Sequence, residues 1–172
     1  MVVLLMTCFF SQSNAQFIGN TDWETDQEFR DVEEKISNNI LWLEQNPFAS
    51  ETNNTKAITS FVLDWVSNVP YILVNNDNLF TESILNSKKY KYAEKFRITY
   101  LFGKTYYTIQ NQDDPNESEA TLRGLIGMIN VYEEVLKVDK SVQHRDLENY
   151  RQLYYSEQLS SYVKTRLKVS GI

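Results

Sequence analysis

Few residues in this chain have the type and spacing that catalysis asks for. His144 is the only histidine and Cys8 the only cysteine. No serine stands in a Gly-x-Ser-x-Gly elbow, and no glycine-rich loop has the spacing that cradles a phosphate or a dinucleotide. Asp77, Asp113 and Asp114 are loop acids, but none belongs to an Asp-x-Asp-x-Asp-Gly calcium loop. His144 reads as a solvated loop residue. The sequence therefore calls for no metal, no cofactor and no catalytic set.

Paired acids are the remaining route to proton transfer. Glu133 and Glu134 are adjacent, and neighbours on a helix point about 100° apart, so the two do not share a site. Asp64 beside Trp65, and Glu94, are the acids that burial would turn into general acids by raising their pKa.

The other chemistry on offer is aromatic. The chain has eleven Tyr, nine Phe and three Trp, with the tyrosines clustered at Tyr90/Tyr92, Tyr106/Tyr107 and Tyr154/Tyr155. A tyrosine buries a large apolar area and keeps a polar tip, which suits protein interfaces and, in exported proteins, stacking on sugar rings. Tyr106, Tyr107, Tyr154 and Tyr155 are the candidate binding residues.

The elements that must position these residues are helical. Thr25 and Glu28 have capping-box spacing, followed by Phe29, Val32, Ile36, Ile40 and Leu43 at helical intervals up to Pro47. A second helix over 54–68 carries Ile58, Phe61, Val62 and Trp65, and Pro70 stops it. Tyr71 to Val74 is an apolar run that reads as a short extended connection. A short helix over 79–86 follows. The helix over 90–111 has Ala93, Phe96, Tyr100, Gly103 and Tyr107 on one face and Ile98, Leu101, Phe102, Thr105 and Ile109 on another. A helix apolar on two faces belongs at the centre of a fold. Helices over 117–139 and 145–169 complete the chain. The fold expected is all-α: a single-domain bundle of five to six antiparallel helices with a short extended segment near 71–74. Gly103 and Gly124, each unfavourable in a helix by about 1 kcal/mol relative to Ala, are expected to face each other where two helices pack closely.

A net charge of −6 argues against binding nucleic acid or anionic membranes. The first fifteen residues differ from the rest. The apolar run from Met1 to Phe10 is too short to span a bilayer, and Ser13-Asn14-Ala15 has the small residues of a signal-peptidase site. The expected organisation is a signal peptide over 1–15 cleaved after Ala15, an extended segment over 16–24 and a helical domain over 25–172. The protein would then be periplasmic or secreted. Lipidation of Cys8 is the secondary alternative, with Thr7 a poor residue to precede it.

The stretches Leu41-Trp42-Leu43-Glu44-Gln45-Asn46-Pro47, Phe61 to Pro70 with Tyr71 to Val74, and Leu101 to Tyr107 with Gly124, Leu125 and Tyr132 together resemble a family of secreted, all-helical proteins from Bacteroidota. The resemblance covers roughly residues 40 to 135 and rests on helix-packing patterns. It implies an all-α fold and export, and brings no activity, cofactor or catalytic residue. The function expected is a non-catalytic interaction module with an envelope protein as partner. The alternatives are a small-molecule or lipid binder with a cavity near Gly103 and Gly124, and an enzyme using carboxylates such as Asp64 and Glu94.

Overall fold

The capping box at Thr25 forms as its spacing dictates: Thr25 Oγ1 accepts the Glu28 N–H, and the Glu28 carboxylate accepts the Thr25 N–H at 2.8 Å. The computed structural model describes residues 21–47, 53–75, 78–87 and 89–171. Among these, every regular element is helical: α1 (Asp26–Asp31), α2 (Glu33–Gln45), α3 (Asn53–Asn68), α4 (Glu82–Leu85), α5 (Ala93–Gln110), α6 (Glu117–Val138), a 3₁₀ turn at Lys140–Val142, α7 (Arg145–Tyr155) and α8 (Leu159–Ser170). The expected signal segment, its cleavage point after Ala15 and Cys8 lie outside the described residues. Residues 72–75 are in neither helix nor strand.

Two helices expected to be continuous are each broken, for separate reasons. The first breaks at Val32. There the Phe29 carbonyl accepts the indole N–H of Trp65 at 3.1 Å and the Val32 N–H at 3.4 Å. Trp65 is fully buried and its N–H needs an acceptor; a turn in the chain supplies one. The second break follows Tyr155. Gln158 N–H donates to the Leu153 carbonyl at 2.8 Å and Glu157 N–H to that of Tyr154 at 3.0 Å, with Glu157 left-handed at φ 60°. This is a Schellman stop, and α8 begins anew at Leu159.

α5 is central, as its two apolar faces predicted. Ala93, Phe96 and Tyr100 pack with α4, α6, α7 and α8, against Leu125, Met128, Tyr132, Leu147 and Val163. Ile98, Phe102 and Ile109 pack with α1, α2 and α3, against Ile36, Ile40, Phe61 and Trp65. Each such side chain, fully buried, contributes roughly 1.5–3 kcal/mol.

α5 and α6 run antiparallel. Phe96 meets Tyr132 at one end, with ring centroids 6.3 Å apart, and Lys104 meets Glu117 at the other, Nζ to Oε1 2.5 Å. Between them lies the glycine contact the sequence predicted. A Cβ on Gly103 would stand 2.7 Å from both the Arg123 carbonyl and the Gly124 Cα, and one on Gly124 would stand 2.7 Å from the Tyr100 ring. Among the described residues, no helix is long and apolar enough to cross a membrane.

Candidate functional site

The close fit of Gly103 and Gly124 leaves no space for a ligand there. The cavity between the central helices lies elsewhere, toward the N-terminal end of α5, and has a volume of about 440 Å³. Its α5 wall is Lys95, Ile98, Thr99 and Phe102, spaced i, i+3, i+4 and i+7 on one helix face. Its α3 wall is Thr55, Lys56, Thr59 and Ser60. Ile40, Leu43 and Glu44 enter from α2, with Asn46 and Pro47 beyond its end, and Val131 from α6.

Several of the polar groups in this wall are tied to their own surroundings, which leaves the lining mostly apolar. Thr99 Oγ1 donates to the Lys95 carbonyl at 2.9 Å, and Asn46 Nδ2 donates to the Trp42 carbonyl at 2.9 Å. Glu44 is buried, with its carboxylate 2.8 Å from Arg123 Nη1. The two atoms approach outside hydrogen-bonding angles, so this is a contact of charges rather than a directed hydrogen bond. The other Glu44 oxygen accepts from Asn130 Nδ2 at 3.2 Å. Lys56 and Lys95 also belong to the lining, and each has an interaction partner of its own.

The four candidate tyrosines divide into two pairs. Tyr106 is half-buried, with the Arg123 guanidinium 4.7 Å from its ring centre, and Tyr107 beside it is half-buried too. Tyr154 and Tyr155 are exposed at the end of α7 and touch edge to face at 5.5 Å; the Tyr155 hydroxyl donates to Glu133 at 2.8 Å. The anchors of the two pairs, Arg123 and Glu133, are ten residues apart on α6, or about 15 Å along its axis. The structure brings Tyr154 and Tyr155 together and sets them apart from Tyr106.

Each of the candidate acids has a hydrogen-bond or ion-pair partner. Glu94 is 61% exposed and pairs with Arg97 at 2.5 Å, whose hydrogen bonds hold its carboxyl below the usual range. This is the reverse of the raised acid that the sequence suggested. Asp64 lies half-buried on α3 and accepts from Asn68 Nδ2 at 3.2 Å. Glu133 takes Arg151 at 2.8 Å, whereas Glu134 pairs with Lys137. The two adjacent glutamates serve different partners, as their helical spacing requires.

His144 departs from its expected solvated role. It is half-buried, 4.9 Å from the Tyr90 ring centre, and it caps α7: its Nδ1 accepts the Asp146 N–H at 3.2 Å. Its Nε2 lies 2.7 Å from Ser87 Oγ. That contact looks like a Ser–His dyad and is not one. Nδ1 is the acceptor, so the ring proton sits on Nε2 and is donated to the serine. Ser87 in turn donates to the Ser83 carbonyl at 2.9 Å. A nucleophilic serine needs the opposite polarity, with the imidazole accepting its proton. Among the described residues, no three His, Cys, Asp or Glu side chains gather closely enough to share a metal ion.

The sequence reading missed the Glu44–Arg123 contact and the pairing of the buried Lys104 with the partly exposed Glu117. Both had a signal. Lys104 stands four residues after Tyr100 on a buried face, and Glu44 falls at i+4 from Ile40. Comparison with protein-family models, curated proteins and solved structures finds no match for this chain.

Proposed function

We propose that this chain is a non-catalytic binding protein that holds a small, largely apolar molecule between α2, α3 and α5. The observation that carries this reading is the pocket of about 440 Å³ with Ile40, Leu43, Ile98 and Phe102 in its lining. Its size falls within the roughly 300–1,000 Å³ of small-molecule sites. The polarity of the Ser87–His144 contact and the ion-paired glutamates support a non-catalytic role. Export is part of the same reading, supported by the apolar run Met1–Phe10 and the small residues Ser13–Ala15, as is kinship with the secreted helical proteins that the sequence resembles. The helices make one antiparallel bundle in this view, with α5 and α6 as its central pair.

The test is titration of the purified chain with N-phenyl-1-naphthylamine, a neutral apolar dye that fluoresces on leaving water. Saturable one-to-one binding is expected. Thr59→Trp, which fills the α3 wall, should abolish it while helicity by circular dichroism is unchanged. Absence of saturable binding to the native chain would overturn the reading.

A second reading, docking of an envelope protein on α7, is favoured by Tyr154 and Tyr155, which are 39% and 63% exposed and in mutual contact. The other large apolar side chains most exposed among the described residues, Leu73, Val138 and Val169, lie on separate segments. Capture of a stoichiometric partner from envelope extract, lost in Tyr154→Ser/Tyr155→Ser, would support this alternative.

A further inference from the structure

The charged side chains described in the pocket wall are already engaged. Glu44 faces Arg123 at 2.8 Å through one carboxylate oxygen and accepts from Asn130 at 3.2 Å through the other. Lys56 and Lys95 each have an interaction partner of their own. A charged ligand would give up its hydration at a wall whose described charges have their partners, a cost that a neutral ligand escapes.

The hydroxyls of α3 are placed differently. On α5, Thr99, Thr105 and Thr108 each donate to the carbonyl four residues back, at 2.9, 2.9 and 3.0 Å. Such a bond satisfies the hydroxyl within its own helix. Thr59 and Ser60 do not make it: among the described residues neither hydroxyl has a hydrogen-bond partner. Both line the pocket, Thr59 half-buried and Ser60 exposed. The lining also offers hydrocarbon from Leu43, Ile98 and Phe102.

We infer that the pocket takes an uncharged hydrocarbon with one hydroxyl head, the head hydrogen-bonded to Thr59 and the body along Leu43, Ile98 and Phe102. This rests on the proposed pocket and adds the ligand's class. A threonine hydroxyl both donates and accepts, so it serves an alcohol in either sense. From Lys95 to Phe102 the α5 wall rises by about 10 Å, which suits a chain of medium length. One directed hydrogen bond in a mostly apolar lining is enough to set which way round the ligand lies.

The experiment displaces bound N-phenyl-1-naphthylamine from the full chain with decanol, decanoate or decylammonium, each below its solubility and micelle limits. Decanol is expected to compete at least about tenfold more tightly than either ion. In Thr59→Val, which keeps the shape and loses the hydroxyl, decanol should weaken about fivefold relative to the dye. Thr59→Ser, which keeps the hydroxyl, should retain the native ratio. Failure of decanol to compete, or equal competition by either ion, would overturn the neutral-alcohol assignment. An unchanged ratio in Thr59→Val, or an equal loss in Thr59→Ser, would overturn the placement of the head. Each of these results leaves the apolar pocket standing, whereas failure of the dye itself to bind the native chain would overturn both.

Discussion

Glu44 on α2 lies against the bare backbone of Gly127 on α6: its Oε1 is 2.8 Å from the position a Cβ of Gly127 would take. The same oxygen faces Arg123 at 2.8 Å. The missing side chain at Gly127 is what admits a buried carboxylate between the helices. Ala is the better helix former by about 1 kcal/mol, but here a methyl would displace a charge with nowhere else to be paired. Gly127→Ala is therefore expected to destabilise the protein by about 1–3 kcal/mol in urea unfolding. In a Glu44→Ala background the added penalty should shrink, because the colliding oxygen is gone. An equal penalty in both backgrounds would refute the relationship.

Gly103 offers a harder case, because what a side chain would strike is backbone. The Arg123 carbonyl and the Gly124 Cα, both 2.7 Å away, cannot swing aside as a side chain does. Gly103→Ala is expected to lower stability by about 3 kcal/mol, the upper end for overpacking, against its favourable helix propensity. A thermal melt at or above the native midpoint would show that α5 and α6 do not pack at this distance.

These glycines also mark what could be read from sequence. A two-faced apolar pattern places α5 at the centre, and small residues on α5 and α6 announce a close approach. Both are local signals with one physical cause, the burial of hydrocarbon at helical spacing. The pocket has no such signal. Thr55, Thr59 and Thr99 look like solvated positions until the walls they belong to are assembled, and the glycines that suggested a cavity in fact close one. The stop after Tyr155 escaped notice for a similar reason. The left-handed position that usually announces itself as glycine is occupied by Glu157. Trp65, likewise, breaks the first helix from 36 residues away in sequence.

The left-handed Glu157 gives a stabilising prediction. A side chain at φ 60° is strained by roughly 1 kcal/mol, and glycine is not. Glu157 is exposed, so its removal leaves no space in the core. Glu157→Gly should raise stability by about 0.5–1 kcal/mol, offset in part by the greater freedom of the unfolded chain. Glu157→Ala keeps the strain and should gain nothing. A gain of equal size in both variants would point to charge rather than backbone conformation.

His144 sets the pH dependence of this half of the molecule. Burial pushes its imidazole below the ordinary histidine value; the Asp146 charge opposes that and does not overcome it. The folded state therefore binds the proton less readily than the unfolded chain, where histidine titrates near 6.5. As pH falls through about 6.5 the unfolded chain takes up the proton first, so stability declines, and it goes on declining until the folded-state imidazole also protonates. The structural cause is visible at Nδ1. Protonation removes the Nδ1 lone pair that accepts the Asp146 N–H, and it puts a positive charge at the N-terminus of α7, where the helix dipole disfavours it. Unfolding free energies are expected to fall from pH 7 to pH 5 in the native chain. In His144→Asn, whose side chain can cap the helix without titrating, the slope should be shallower over the same range. A slope unchanged by His144→Asn would assign the acid sensitivity to the carboxylates instead.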